Sequence, residues 1–173
     1  MKIKRSLLVL LVTLVGGSLV AMAQDAMPAT VVDVAASNPE FSTLVTAVQT
    51  AGLVETLSSE GPFTVFAPTN AAFADALAAL GISAEQLLAR DDLGAILTYH
   101  VVPASLLAEA VLAAVEAGGG TAMVATVNGA EIAVTVVDGM VMLNDVATVT
   151  ATDLLAGNGV VHVIDAVLLP PAQ

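Results

Sequence analysis

Three consecutive glycines, residues 118–120, separate two hydrophobic periods in this chain, and that switch narrows the folds open to it. Upstream the spacing is helical. Phe41, Leu44, Val45 and Val48 recur at i, i+3, i+4 and i+7, with Pro39 and Glu40 suited to a first turn, so a helix is predicted from Pro39 to Gln49, ended by Gly52. Thr30 to Ala36 reads as one or two helical turns, and Leu53 to Leu57 as another short helix. Phe63 to Ala67 is a strand between Gly61-Pro62 and Pro68. Thr69 or Asn70 then caps a helix through Leu80, with Gly81 as its stop. Ser83 and Gln86 form a capping-box pair for a helix through Leu88. Asp91 or Asp92 caps the next, which runs into Tyr99; His100 to Val102 is extended, and Leu106 to Ala117 is helical again.

Downstream the period is two. Val124–Val127, Glu131–Val137 and Met140–Leu143 read as strands joined by Asn128-Gly129 and Asp138-Gly139, both expected as type I′ turns with positive φ at each central residue. Val146–Thr150 is a further strand, Ala151–Leu155 a turn or single helical turn, and Val160–Leu168 a closing strand. Helices first and a β-meander afterwards argue an α+β fold. No repeat or linker interrupts it, so one domain is expected over residues 30–171, after a short lead at 24–29.

Residues 1–23 read as a cleaved signal peptide. Lys2, Lys4 and Arg5 precede an apolar stretch from Leu7 to Val15, and Ala21-Met22-Ala23 is an A-x-A cleavage site; the alternative is an uncleaved anchor. No Cys follows the site for a lipid anchor, and no later segment offers about 20 unbroken apolar residues, so no membrane insertion is expected after cleavage. The protein is therefore expected to be secreted: extracellular, periplasmic or matrix-associated.

With those residues set aside, Arg90 is the only base left against 16 carboxylates. Nucleic-acid binding by counterion release needs several Lys or Arg and is excluded, as is attraction to anionic lipid. Basic protein surfaces and neutral glycans remain as partners. One account of the missing bases is an acidic habitat, which requires stability to hold near pH 3. There is no Cys, no Trp, one Tyr and four Phe, so the fold rests on a core of Val, Leu, Ile and Ala without disulfides.

Three segments in register carry a family resemblance. The first is Phe63-Thr-Val-Phe-Ala-Pro-Thr-Asn-Ala-Ala-Phe73, the second Tyr99-His100, and the third Gly157-Asn158-Gly159-Val-Val-His162-Val-Ile-Asp165 followed by Leu168-Leu169-Pro170. Together they resemble the two sequence boxes and the intervening Tyr-His motif of the fasciclin (FAS1) domain family, across roughly residues 30–170. The resemblance implies a wedge-shaped β-sandwich with helices packed around it and a role in extracellular adhesion or protein binding. In animal relatives the Tyr-His region and short Asp-containing motifs ahead of the second box are implicated in integrin-dependent adhesion. The corresponding stretch here is Ala151-Thr152-Asp153-Leu154-Leu155, which keeps an Asp followed by two apolar residues, without the better-known residues before it and without Arg-Gly-Asp. The chain looks more like a small bacterial secreted member, for which only the idea of a binding surface carries over.

Weighed residue by residue, the chemistry is sparse. His100 and His162 are the only histidines; as zinc ligands they lack the usual three or four convergent partners, and the preferred reading is that each ties a strand to a loop. Ser83 and Ser105 lack a nucleophile context, Asp91-Asp92 lacks a calcium loop, and the glycine run lacks a phosphate-loop Lys. Asn70 and Asn158 read as a cap and a turn residue. No enzyme and no cofactor are expected. The expected contact residues are Tyr99, His100, Asp153, Leu154 and Leu155, with Leu154 and Leu155 exposed beside Asp153. The function expected is a secreted, non-catalytic binding module that contacts a surface or matrix protein or a neutral glycan, with weak self-association left open. The alternative is a carrier or sensor holding a small apolar ligand between sheet and helices.

Overall fold

A computed structural model describes residues 29–170 of the 173. The expected signal peptide and all but the last residue of the lead lie outside the described residues. Helices α1 (Val31–Ser37), α2 (Ser42–Thr50) and α3 (Val54–Ser58) come first, with a 3-10 turn at Pro39–Phe41 leading into α2. Strand β1 (Phe63–Pro68), α4 (Asn70–Leu80), α5 (Ala84–Leu88), α6 (Leu93–Tyr99), β2 (Val101–Val102) and α7 (Ala108–Ala117) follow. Strands β3 (Thr121–Ala125), β4 (Glu131–Val137), β5 (Met140–Leu143), β6 (Ala147–Ala156) and β7 (Gly159–Ile164) complete the fold.

The strands lie in the order β2-β1-β7-β6-β5-β4-β3. β6 serves both halves of this sheet: Ala147 and Thr148 pair β5, while Val149 to Ala156 pair β7. Two register shifts in β6, between Val149 and Ala151 and between Ala151 and Leu154, break its regular pairing where it passes along β7. The halves face each other across one apolar cluster. Phe66, Ile164 and Leu168 come to it from one side, Ile132, Val134 and Leu143 from the other, and Val111 and Val115 of α7 close it. This is the expected wedge-like sandwich. Near the open end, the Val127 N–H donates to the Val101 carbonyl at 2.8 Å, so the chain after β3 reaches back to β2.

β1 and β7 run parallel, with Phe66 beside His162 and Val65 beside Val161. Both faces of this pair are covered. Phe66 and Ile164 enter the inter-sheet cluster, whereas Val65, Ala67, Val161 and Val163 pack against α1 to α6 in a second cluster with Phe41, Phe73 and Leu97. Burial on both faces explains why these two strands read as continuous apolar runs rather than alternating ones. The pair starts where Gly159 meets Phe63, and a Cβ at Gly159 would run into the Phe63 carbonyl.

Several local readings hold. Thr69 caps α4 by accepting from the Ala72 N–H at 3.2 Å, Gly81 ends it, and the Ser83–Gln86 capping box is formed. Replacing Thr69 by Ala should lower the unfolding free energy by about 1 kcal/mol, read from urea melts, since it orphans one helical donor.

Others are corrected. The stretch 151–155 is not a turn but part of β6, because its backbone groups pair with β7 across the bulges. The closing strand stops at Ile164, where the Asp165 carboxylate accepts from the Thr148 N–H at 2.7 Å. Asp92 occupies the cap position of α6 without capping it; its carboxylate is taken by the Arg90 guanidinium at 2.5–2.6 Å. Asp138-Gly139 has positive φ at both residues, as a type I′ turn requires, but at Asn128-Gly129 only Gly129 does. There the Gly129 N–H donates to Thr126 O and the Thr126 N–H to Ala130 O, a type I turn with a left-handed glycine after it. Asn128 instead reaches out of the turn to donate to Ala95 O at 2.7 Å.

Candidate binding surface

Of the five expected contact residues, Tyr99 and His100 are interior, 1% and 2% exposed, and offer a partner no surface. Their placement follows from α6, whose last turn drives into the inter-sheet cluster. The Tyr99 hydroxyl donates to Glu131 O at 3.2 Å and accepts from Asn144 Nδ2 at 2.8 Å; Asn144 Oδ1 in turn accepts from the Ala133 N–H. The motif thus fastens α6 to β4 and to the turn after β5.

His100 Nδ1 lies 2.7 Å from Ile96 O, and Nε2 accepts from the Leu168 N–H at 2.9 Å. These partners define a neutral ring with its proton on Nδ1. Burial pushes its pKa down to about 4, only partly opposed by the hydrogen bond to Ile96. His162 is committed in the same way. Nε2 donates to Leu106 O at 2.6 Å, Nδ1 accepts from the Asp153 N–H at 3.3 Å, and the ring stacks on Phe66 with centroids 5.7 Å apart. Every ring nitrogen of both histidines is therefore bonded to backbone: His162 ties β7 to the segment before α7, as the strand-to-loop reading expects, whereas His100, at the end of α6, ties that helix to the C-terminal segment.

Asp153 is exposed and stands at φ +59° within the bulged part of β6. An Asp tolerates this left-handed position better than a branched residue does. Its Oδ1 accepts from the Ala108 N–H at 2.9 Å and so caps α7, whose own cap position, Leu107, has no side-chain acceptor. Leu154 and Leu155 point to opposite faces, as neighbours in a strand must. Leu154 packs against the helix-side cluster, which corrects its expected exposure, whereas Leu155 is 50% exposed.

Leu155 borders an open groove of about 310 Å³ with exposed Leu107 and Pro62, floored by Gly157, Asn158 and Gly159. The sequence reading missed Leu107 and Pro62. Their signal, an apolar residue just outside a predicted element, is too common to single out.

Beneath this groove Asn158 joins three separate segments. Its Oδ1 accepts from the Val31 N–H at 2.8 Å, and its Nδ2 donates to Leu57 O at 2.7 Å and Ser59 O at 3.0 Å. Asn70 acts likewise on α2, accepting from the Thr43 N–H and donating to Pro39 O. Neither is simply a cap or turn residue; each is a long-range clamp.

The model of the fasciclin domain family matches residues 39–170. This chain belongs to the fasciclin domain family. The fasciclin chain is 52% identical over 145 residues to Protein sll1483 of Synechocystis sp., covering 82% of this chain and 74% of that protein. It is 40% identical over 144 residues to the transforming growth factor-beta-induced protein ig-h3 of Sus scrofa, covering 83% of this chain but 20% of that protein. It is also 37% identical over 162 residues to the cell surface glycolipoprotein MPT83 of Mycobacterium tuberculosis, covering 91% and 66%. Among solved structures, a FAS1 domain pair from the insect cell adhesion molecule Fasciclin I superposes with a TM-score of 0.70 at 21% identity, covering 82% of this chain and 51% of that one. That likeness shows the same fold. No helix among the described residues is long and apolar enough to cross a membrane.

Proposed function

We propose that this fasciclin protein is a secreted, non-catalytic binding module of adhesion type, which meets a surface or matrix protein or a neutral glycan through the surface around Asp153, Leu155 and Leu107. The observation that carries the reading is the side-by-side exposure of Leu107 and Leu155 on one groove, with exposed Asp153 nearby, its carboxylate capping α7 at Ala108, the residue after Leu107. Two apolar side chains supply burial and the carboxylate one charge-assisted contact. Export is supported by the mycobacterial relative, named a cell surface glycolipoprotein, and the adhesion role by the cell adhesion molecule with the same fold. His162 supports that surface from inside, accepting from the Asp153 N–H and donating to Leu106 O, whereas Tyr99 and His100 fasten other parts of the core.

The carrier reading is the weaker one. Two apolar spaces between sheet and helices, one beside Phe66 and His162 and the other beside Val31 and Leu57, measure about 10 and 20 Å³, no more than a water molecule needs.

Because Asp153 caps α7, Asp153→Ala would mix loss of stability with loss of contact. Asp153→Asn keeps the Oδ1 acceptor and tolerates the left-handed backbone while removing the charge. The test is capture of surface and secreted components of the native host by the immobilised protein. Asp153→Asn and Leu155→Gln should each fold with an unfolding midpoint near that of the parent and lose at least tenfold in capture. Full capture by both folded variants would remove this surface from the proposal.

A further inference from the structure

The solvent side of β3, β4 and β5 carries a second surface, on other strands and of other chemistry. Antiparallel pairing puts Met123 beside Ala133, Thr135 beside Met142 and Val137 beside Met140, all on the face opposite the inter-sheet core. On the inner face Ile132 and Val134 are sealed, while on the outer face Met123, Met140 and Val137 are 58%, 52% and 45% exposed. All three methionines of the described residues stand on this one face. A half-buried antiparallel sheet ordinarily turns polar residues to water. Here the centre is thioether, methyl and hydroxyl, and the charges stand around it. Glu131 projects on the same face two residues before Ala133, Asp138 sits at the tip of the β4–β5 turn, and the Asp145 carboxylate accepts from the Thr135 hydroxyl at 3.2 Å.

We propose that this face docks a cationic amphipathic segment of a partner protein, its apolar side on the methionines and its Lys or Arg on Glu131, Asp138 and Asp145. Unbranched, polarizable Met side chains adapt to an incoming apolar surface, and an apolar patch rimmed by charge is the form of an interaction site. The charge selects the occupant. A second copy would bring carboxylates of the same sign to the rim, with Arg90 as its only described base and that already held by Asp92. An anionic lipid surface is repelled for the same reason.

The test uses methionine methyl NMR on the protein with a 14-residue Leu/Lys peptide whose leucines fall at helical spacing, and with a shuffled peptide of equal composition that has no apolar side. The patterned peptide should shift Met123, Met140 and Met142 together and bind at least tenfold tighter than the shuffled one. Glu131→Gln should weaken it at least threefold, whereas Glu55→Gln, an equal charge change on the exposed side of α3, should change it less than 1.5-fold. Thr135→Lys, a cation at the centre, should weaken it at least tenfold. Should Thr135→Lys unfold the protein, the two Glu→Gln variants still decide. Equal binding of both peptides, equal losses from the two Glu→Gln variants, or methionine shifts that follow protein concentration without peptide would each overturn the proposal; the last would give the face to a second copy.

Discussion

Replacing Asn158 by Ala lowers the unfolding free energy by about 4 kcal/mol, the largest effect expected of any single polar side chain here. One amide holds the first turn of α1 through Val31 and the end of α3 through Leu57 and Ser59, segments 127, 101 and 99 residues away. Each bond is worth about 1 kcal/mol net, and a partner left unmatched away from water adds roughly 1 kcal/mol or more. Asn128→Ala, which removes a single exposed bond to Ala95 O, should cost under about 1 kcal/mol in the same urea melts. Asn158→Asp sharpens the test. It keeps the acceptor for Val31 but sets an oxygen against the carbonyls of Leu57 and Ser59. Those carbonyls favour the protonated acid, so the variant's deficit should be larger at pH 7 than at pH 4. Equal costs for Asn158→Ala and Asn128→Ala would remove the clamp.

Acidification from pH 7 to pH 4 should cost the protein about 3 kcal/mol through His100 alone. The group titrates near 6.5 when unfolded and near 4 when folded. Its stabilising contribution is fully present above pH 6.5, declines as pH falls through the interval, and is gone below about 4, where both states are protonated. The cause is specific. A proton on Nε2 would face the Leu168 N–H, donor against donor, in a site 2% exposed. Acid also relieves repulsion among the carboxylates, so the measurement is a comparison. The parent should lose about 3 kcal/mol more than His100→Gln between pH 7 and pH 4, a change of roughly 150-fold in the ratio of their unfolding constants. Parallel pH profiles would refute the assignment. A parent that weakens this way is at odds with the acid-habitat account of the missing bases, which requires stability to hold near pH 3.

Much of this fasciclin fold was legible residue by residue. Where a local pattern has a local cause, as at the Ser83–Gln86 capping box, Gly81 and the strands Glu131–Val137 and Met140–Leu143, chain and structure agree; the strand expected at Val124–Val127 instead spans Thr121–Ala125, because Thr126 to Gly129 form the turn. Most misreadings share one reason, a deciding partner far along the chain; Asp92, whose competing partner Arg90 is two residues away, is the exception. Asp153 looked like a turn residue because its partners, Ala108 and His162, are 45 and 9 residues away, and β7 turns that stretch into strand. Tyr99 and His100 were eligible as contacts until α6 was seen to drive them between the sheets. Asp92 offered a cap until Arg90 took its carboxylate.

By itself the sequence determined the α+β order, the helix boundaries set by caps and glycines, the family, and a charge balance of 4 bases against 16 carboxylates. Those follow from short-range spacing and counting. Only the tertiary structure decided that β1 and β7 lie parallel, that Asn158 clamps α1 and α3, and that Leu155 is presented while Leu154 is half-buried against the helix-side cluster. It also decided that three methionines from two strands share one open face. Burial and long-range hydrogen bonding are properties of which segments meet, and a one-residue step along a strand reverses the face a side chain takes.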